Sequence, residues 1–218
     1  MPVVKAVVPI KMKSKRLKNK NFLEINGESL VEHAVSCLNK VKHLDDLIVY
    51  SAYPSIVDNH IKSPHRSIKR CPCLETDDAD FHMVMKYLTT VDDQHADIWI
   101  WHQCTSPFIK AETIQEMLDT VLDEGNQLTS ALSVVEIRKQ CWYLGQPLNF
   151  ELGNIGKTDY IQPIFMETGT YIFPESIYRE KGRRVTSNRY YRVVDFMEGL
   201  DIDYQWEYNL AKKIGGTI

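Results

Sequence analysis

Six cationic side chains, Lys11, Lys13, Lys15, Arg16, Lys18 and Lys20, crowd into the string PIKMKSKRLKNKN directly after the apolar run VVKAVVP. A loop so charged at the end of a buried strand is an electrostatic trap for a polyanion, although a charge run also reads as a solvated turn. No glycine occurs after Pro9 until Gly27, so such a loop must grip through side chains rather than through backbone N–H groups.

Two further constellations carry chemistry. Asp201 and Asp203 stand at i and i+2 within LDIDY. On a strand that spacing puts both carboxylates on one face, where they can hold a hard cation such as magnesium through oxygen. The string His102-Gln103-Cys104-Thr105-Ser106-Pro107 follows the apolar DIWIW, and polar residues at the carboxyl end of a strand are placed to read a ligand, although a turn explains Ser106-Pro107 equally well.

The elements that must position these groups alternate. Val3 to Pro9 reads as a buried strand, Ser29 to Val41 as a helix and Leu47 to Ala52 as a second strand. A helix from about Asp80 to Val91, a strand Asp97 to His102, a helix from about Ala111 to Glu124 and a strand Leu128 to Val135 follow. From Glu136 to Pro163 periodicity weakens, and the segment reads as an excursion from the core. Pattern returns at Thr170 to Phe173, and the chain closes with LDIDY and a helical run Gln205 to Ile214. This order predicts an α/β fold with a largely parallel sheet covered on both faces and ligands outside the strands' carboxyl ends.

The 218 residues, 44% hydrophobic, suffice for a single domain spanning 1–218. With 26 Lys and Arg against 29 Asp and Glu, the net charge of −3 makes the basic loop a local concentration and argues against a nucleic-acid partner. No stretch approaches the roughly 20 apolar residues of a membrane span, and MPVVKAVVPI is too short for a secretory signal, so a soluble, cytoplasmic protein is expected. Five cysteines without the spacing of a disulfide scaffold fit a reducing compartment.

Taken together, the motifs resemble the cytidylyltransferases that activate acidic sugars, the CMP-sialic acid synthetase (acylneuraminate cytidylyltransferase) type. PIKMKSKRLKNKN is similar to that family's phosphate loop, Pro-Ala-Arg-Gly-Gly-Ser-Lys-Arg-Ile/Leu-Pro-x-Lys-Asn, with Ser14, Lys15, Arg16, Lys20 and Asn21 matching by position. Arg70, Pro72, Leu74 and Asp77 approximate its Arg-Pro-x-x-Leu-x-x-Asp. Gln103 to Pro107 resembles its Gln-Pro-Thr-Ser-Pro, and Cys141-Trp142 falls where it has Pro-x-Trp. Gly169 to Ile172 resembles its Gly-Ala-x-Tyr, and Leu200 to Asp203 its Ile-Asp-Ile-Asp. An ordered set spanning nearly the whole chain is far more specific than any member.

The resemblance implies a Rossmann-like sheet of the nucleotide-diphospho-sugar transferase type, a dimerisation arm at 136–163, a homodimer, and transfer of CMP from CTP to an acidic sugar of the nonulosonate kind or a related acid such as a phosphonate, with pyrophosphate leaving. It implies that Lys11, Ser14, Arg16 and Lys20 hold the triphosphate, with Lys11, Arg16 and Lys20 catalytic. Asn21, Arg70 and Asp77 would bind the rest of the nucleotide, and Asp201 and Asp203 would hold Mg2+. Gln103, Thr105, Glu167, Thr168 and Tyr171 would serve the acceptor. Lys11 stands where the family has arginine and Met12-Lys13 where it has two small residues; lysine lacks the bidentate fork, and Met12 lacks glycine's access to positive φ. Thr168 stands in place of an asparagine in the acceptor region.

Other residues weigh less. Cys71-Pro72-Cys73 is too closely spaced for paired structural zinc ligands and reads as ordinary thiols beside a turn. Asp77, Asp78 and Asp80 read as a helix cap and acidic first turn, and Trp99 and Trp101 as core or pocket wall. Arg179, Lys181, Arg183, Arg184, Arg189 and Arg192 form a second basic region that reads mainly as solvated surface, with contact to an anionic substrate across a dimer as the alternative. Two other functions compete: a metal-dependent nucleotide-sugar glycosyltransferase using Asp201 and Asp203, and a non-catalytic anion-binding protein.

Overall fold

A computed structural model describes residues 1–123, 125, 129–153 and 160–216. In chain order its main elements are β1 (Val4–Ile10), α1 (Leu30–Leu38), β2 (Asp46–Ser51), β3 (Arg66–Lys69), α2 (Phe81–Val91) and β4 (Ile98–His102). Then come α3 (Ala111–Leu122), β5 (Ser130–Ile137), β6 (Ile164–Pro174), α4 (Glu175–Lys181), β7 (Arg189–Val194) and α5 (Gln205–Gly215). The seven strands form one sheet in the order β7-β5-β6-β4-β1-β2-β3. Only β6 runs against its neighbours; the pairs β4/β1, β1/β2, β2/β3 and β5/β7 are parallel.

Side-chain alternation along the strands supplies a core on each face. Ala6, Val8, Ile98 and Ile100 pack on one side with α1 and α3, whereas Val7, Ile48, Trp99 and Phe173 pack on the other with Met85 and Leu88 of α2. Lys5 breaks the apolar run of β1 yet is 2% exposed, because its ammonium donates to Asp92 Oδ2 and to the Gln94 carbonyl, each at 2.8 Å. Burial would push the Asp92 carboxyl up, but Lys5 and Arg66 hold it below its ordinary value.

Helix starts follow capping chemistry. The Ser29 hydroxyl accepts Glu32 N–H at 3.2 Å, and the Asp80 carboxylate accepts Met83 N–H at 2.8 Å. Glu207 reaches back from α5 to accept the N–H groups of Asp203 at 2.6 Å and Tyr204 at 2.7 Å.

Several expectations are corrected. LDIDY is not a strand: residues 200–203 are an extended connector, tied to the sheet by Ile202 N–H donating to the Thr105 carbonyl at 2.8 Å. Strands β3 and β7 carry too many charges to show an apolar run, and β7 includes Arg189 and Arg192 of the region read as surface. The strand expected at Thr170 to Phe173 spans Ile164–Pro174, with a register shift between Glu167 and Tyr171. Glu136 and Ile137 still belong to β5, so the excursion begins at Arg138. It contains a hairpin pairing Trp142–Tyr143 with Gln146–Pro147 around Leu144 (φ 49°) and Gly145 (φ 79°), the two positive-φ positions of a type I′ turn. Residues 154–159 of the excursion, Glu124 at the end of the expected third helix and Leu128 at the start of the expected strand lie outside the described residues. Cys71 and Cys73 are joined as a disulfide rather than free thiols. No described helix is long and apolar enough to cross a membrane.

Candidate active site

Residues 11–20 leave the carboxyl end of β1 and turn without any positive φ until Asn19 (φ 53°), after which Lys20–Phe22 form a single 3-10 turn. Met12 and Lys13 therefore occupy ordinary backbone conformations, and the expected cost of losing small residues there does not arise. The loop is fastened instead by side chains. Buried Asn21 donates to the Lys11 carbonyl at 2.8 Å, and Met12 N–H donates to Glu75 Oε2 at 2.8 Å. Glu75 in turn is ion-paired with Arg70, and both are buried. Leu17 anchors the loop in the core.

The loop borders a cavity of about 660 Å³. Lys11, Lys13, Lys15, Arg16 and Lys20 line it together with Ser14 and Asn21, whereas Lys18 does not. Lys20 Nζ lies 2.6 Å from Asp203 Oδ1, and Arg16 Nη2 lies 2.6 Å from Asp203 Oδ2 while its guanidinium stacks over Tyr204 at 5.1 Å. Lys11 Nζ donates to Asp77 Oδ1 and the Thr76 carbonyl, both at 2.9 Å, and Lys15 pairs with the same carboxylate. Lys15 and Lys11 hold the Asp77 carboxyl down at about 2.

The carboxyl end of β4 supplies the opposite wall with Gln103, Cys104 and Thr105. Gln103 N–H donates to the Gly169 carbonyl at 2.8 Å, fixing this turn against β6. Fully buried Ile202 pins the connector between Asp201 and Asp203, so both carboxylates line the cavity as the i, i+2 spacing anticipates; Ser106 Oγ lies 3.4 Å from Asp201 Oδ1. Cys104 is buried, donates to Asn21 Oδ1 at 3.2 Å, and has its thiol pushed up to about 12 by burial, which removes it as a nucleophile near neutral pH. His102 does not line the cavity: its Nδ1 bonds Thr170 Oγ1 at 2.8 Å, and burial lowers its pKa to about 4, leaving a neutral core imidazole.

Not every expected residue gathers here. Arg70 and Asp77 line the cavity, but Glu167, Thr168 and Tyr171 do not. Thr168 is buried against Ser133 on β5, and Tyr171 is buried with its hydroxyl donating to Glu167 Oε2 at 2.7 Å. Tyr171 and Glu167 are linked to the site by Arg184, which lines the cavity, lies 3.7 Å over the Tyr171 ring and has Glu167 Oε2 at 4.0 Å. Sequence reasoning missed two contributors. Glu75 sits unremarked inside the Arg70 to Asp77 motif, and Arg184 was submerged in a basic cluster.

Among the described residues seven cationic side chains and four carboxylates line the cavity, a positive excess suited to a polyphosphate ligand. A family profile described as Cytidylyltransferase matches residues 5–152. Among curated proteins, none matches this chain in sequence. The fold is similar to that of CMP:2-keto-3-deoxy-manno-octonic acid synthetase complexed with CTP, at 14% identity and a TM-score of 0.71 over 99% of both chains. It is also similar to 4-diphosphocytidyl-2C-methyl-D-erythritol synthase from Anaerococcus prevotii, at 10% identity and a TM-score of 0.66 over 98% of this chain and 96% of that one. The matched region covers the basic loop, the Arg70 to Asp77 motif and the Gln103 turn, and on that ground the chain belongs to the cytidylyltransferase family, as a CTP-dependent nucleotidyltransferase.

Proposed function

We propose that the enzyme transfers CMP from CTP to an acidic acceptor, a nonulosonate sugar or a related carboxylic or phosphonic acid, and releases pyrophosphate. The observation that supports this most directly is Asp203 holding Lys20 and Arg16 at 2.6 Å, which joins the phosphate loop and the aspartate pair in one cavity. In the reaction an acceptor oxygen bonds to the α-phosphorus as the bond from that phosphorus to the pyrophosphate oxygen breaks. Lys11, Arg16 and Lys20 neutralise charge that grows on the leaving pyrophosphate, and Ser14 donates to a phosphate oxygen. Such a transfer needs positioning and charge compensation rather than covalent help from the protein. Asn21 and Arg70 orient the cytidine; the Arg70 Nε, buried without a partner, is a donor in want of an acceptor.

The donor set at Asp201 and Asp203 fits magnesium: two carboxylates beside the Ser106 hydroxyl are hard oxygen ligands, with triphosphate oxygens to complete them. Bound there, magnesium would offset charge on the triphosphate. Among the described residues no group of three or more His, Cys, Asp or Glu side chains could hold a metal ion.

A homodimer is part of the same proposal. Trp142, Leu144, Leu148 and Leu152 of the excursion are 56%, 86%, 56% and 70% exposed, an apolar set that a second copy would cover. Light scattering of the purified protein reads this directly.

Incubating the protein with magnesium, one of CTP, UTP, ATP or GTP, and a panel of sugar acids and phosphonates tests the reaction. Pyrophosphate release confined to CTP and dependent on an acid is expected. Release with no acid, release from UTP, ATP or GTP in place of CTP, or no release with any acid would overturn the proposal.

A further inference from the structure

Among the described residues Arg184 is the one cavity-lining cation that belongs neither to the basic loop nor to the Arg70 to Asp77 motif. It follows α4, whose last turn ends at Gly182 in the left-handed region (φ 61°). A Cβ there would lie 2.8 Å from His82 Nδ1, so glycine both permits the turn and clears α2. The turn carries Arg184 back over two aromatic rings, with its guanidinium carbon 3.7 Å from the Tyr171 centroid and 5.3 Å from that of Phe81.

Stacking fixes the plane of a guanidinium while leaving its edge, with five N–H donors, for a planar or tetrahedral anion. The nearest carboxylate, Glu167 Oε2, lies at 4.0 Å, beyond hydrogen-bonding distance, and already accepts the Tyr171 hydroxyl at 2.7 Å. The side chain is 26% exposed, sheltered yet open to the cavity. Five cations of the loop line the same cavity, and three of them, Lys11, Arg16 and Lys20, are already proposed for the triphosphate. We infer that Arg184 is the specificity-determining residue that binds the acid group of the acceptor, carboxylate or phosphonate. The inference rests on the proposed reaction, and it gives Tyr171, which does not line the cavity, a part in it: the Tyr171 ring carries the guanidinium of Arg184 while its hydroxyl occupies Glu167.

The test titrates N-acetylneuraminate, its neutral methyl ester and 2-aminoethylphosphonate into protein saturated with magnesium and α,β-methylene CTP, by calorimetry. The wild type is expected to bind at least one acid, and the ester about ten-fold more weakly than N-acetylneuraminate if the carboxylate is the group recognised. Arg184→Met keeps the aliphatic stem over Tyr171 and removes only the charge. It should weaken acid binding about ten-fold or more while leaving binding of the nucleotide analogue unchanged, and Arg184→Lys should recover part of the loss. Equal binding of the acid by Arg184→Met and wild type would overturn the inference, as would failure of the wild type to bind either acid. Absence of a melting shift with the nucleotide analogue would instead count against the CTP reading, and titrating the acids into the unliganded protein would still decide the role of Arg184.

Discussion

Lys20 and Asp203 are 183 residues apart in the chain, yet Lys20 Nζ donates to Asp203 Oδ1 at 2.6 Å. The pair closes the cavity by tying the first loop to the last connector, and Arg16 takes the other oxygen. Asp203→Asn keeps the shape and removes the charge. Because the carboxylate is 26% exposed, its ion pairs contribute at most about 1 kcal/mol each, and the melting temperature should fall by only about 2–4 °C per kcal/mol lost. Turnover should fall at least about 100-fold if the carboxylate holds the cations, Lys20, Arg16 and magnesium, that offset charge in the transition state, and Asp201→Asn should behave alike. Pyrophosphate release beside a thermal melt checks this; normal rates in both variants would remove the aspartate pair from the mechanism.

Asp77 occupies Lys11, one of the cations proposed to receive phosphate, together with its neighbour Lys15. An incoming triphosphate must compete with it, so Asp77→Asn should lower the Kd for CTP several-fold at low ionic strength, the gain shrinking as salt screens it. A rise in Kd would mean that Asp77 orders the lysines rather than competing for them. The same carboxyl gives a pH signature. Its folded value of about 2 lies below the unfolded value of about 3.9, so its contribution to stability is present above the unfolded value and lost as pH falls towards 2. Acid melts should therefore show a smaller loss for Asp77→Asn than for wild type between about pH 4 and pH 2.

Much of this site is legible in sequence, for reasons that show where legibility ends. The apolar runs of β1, β2 and β4 declare themselves because both faces are buried, and the Asp201 and Asp203 spacing keeps its meaning on an extended connector that is not a strand. Strand β3, RSIK, is not legible: Arg66 is there to meet Asp46 and Asp92, a tertiary fact with no local period. Met12 looked disruptive because the family's small residues stand there, but the anchor that accommodates it, Glu75, comes from a segment more than sixty residues away. Arg184 shared a composition with Arg183 and Arg179, and only the turn at Gly182 sets it apart.

Cys104 sits in the cavity wall, where a reactive thiol would suggest covalent chemistry. Burial pushes its pKa up to about 12, so at pH 8 it is a thiol bonded to Asn21. Iodoacetamide should modify Cys141, which is not buried, well before Cys104 in the folded protein. Cys104→Ala should retain turnover within about three-fold, with some loss of stability from the vacated volume, on the order of 1–2 kcal/mol. Rapid alkylation of Cys104 with parallel loss of activity would restore it as a candidate nucleophile.

Gly169 has no positive φ to explain its lack of a side chain; close approach does. A Cβ there would meet Ser106 Oγ at 2.4 Å, Ser106 Cβ at 3.0 Å and Gln103 Cβ at 3.1 Å. The hydroxyl can rotate away, but the two Cβ atoms belong to the turn that the Gly169 carbonyl holds through Gln103 N–H. Gly169→Ala should therefore push the Gln103 to Ser106 turn away from β6, destabilising the fold by about 1–3 kcal/mol. It should also displace Gln103 and, through the Thr105 carbonyl that Ile202 N–H bonds, the Asp201 to Asp203 connector. The expected kinetic result is a fall in kcat larger than the rise in KM for CTP, since the loop cations stay in place while the opposing wall moves. An unchanged kcat with only KM raised would show that the turn binds nucleotide without aligning the reacting groups.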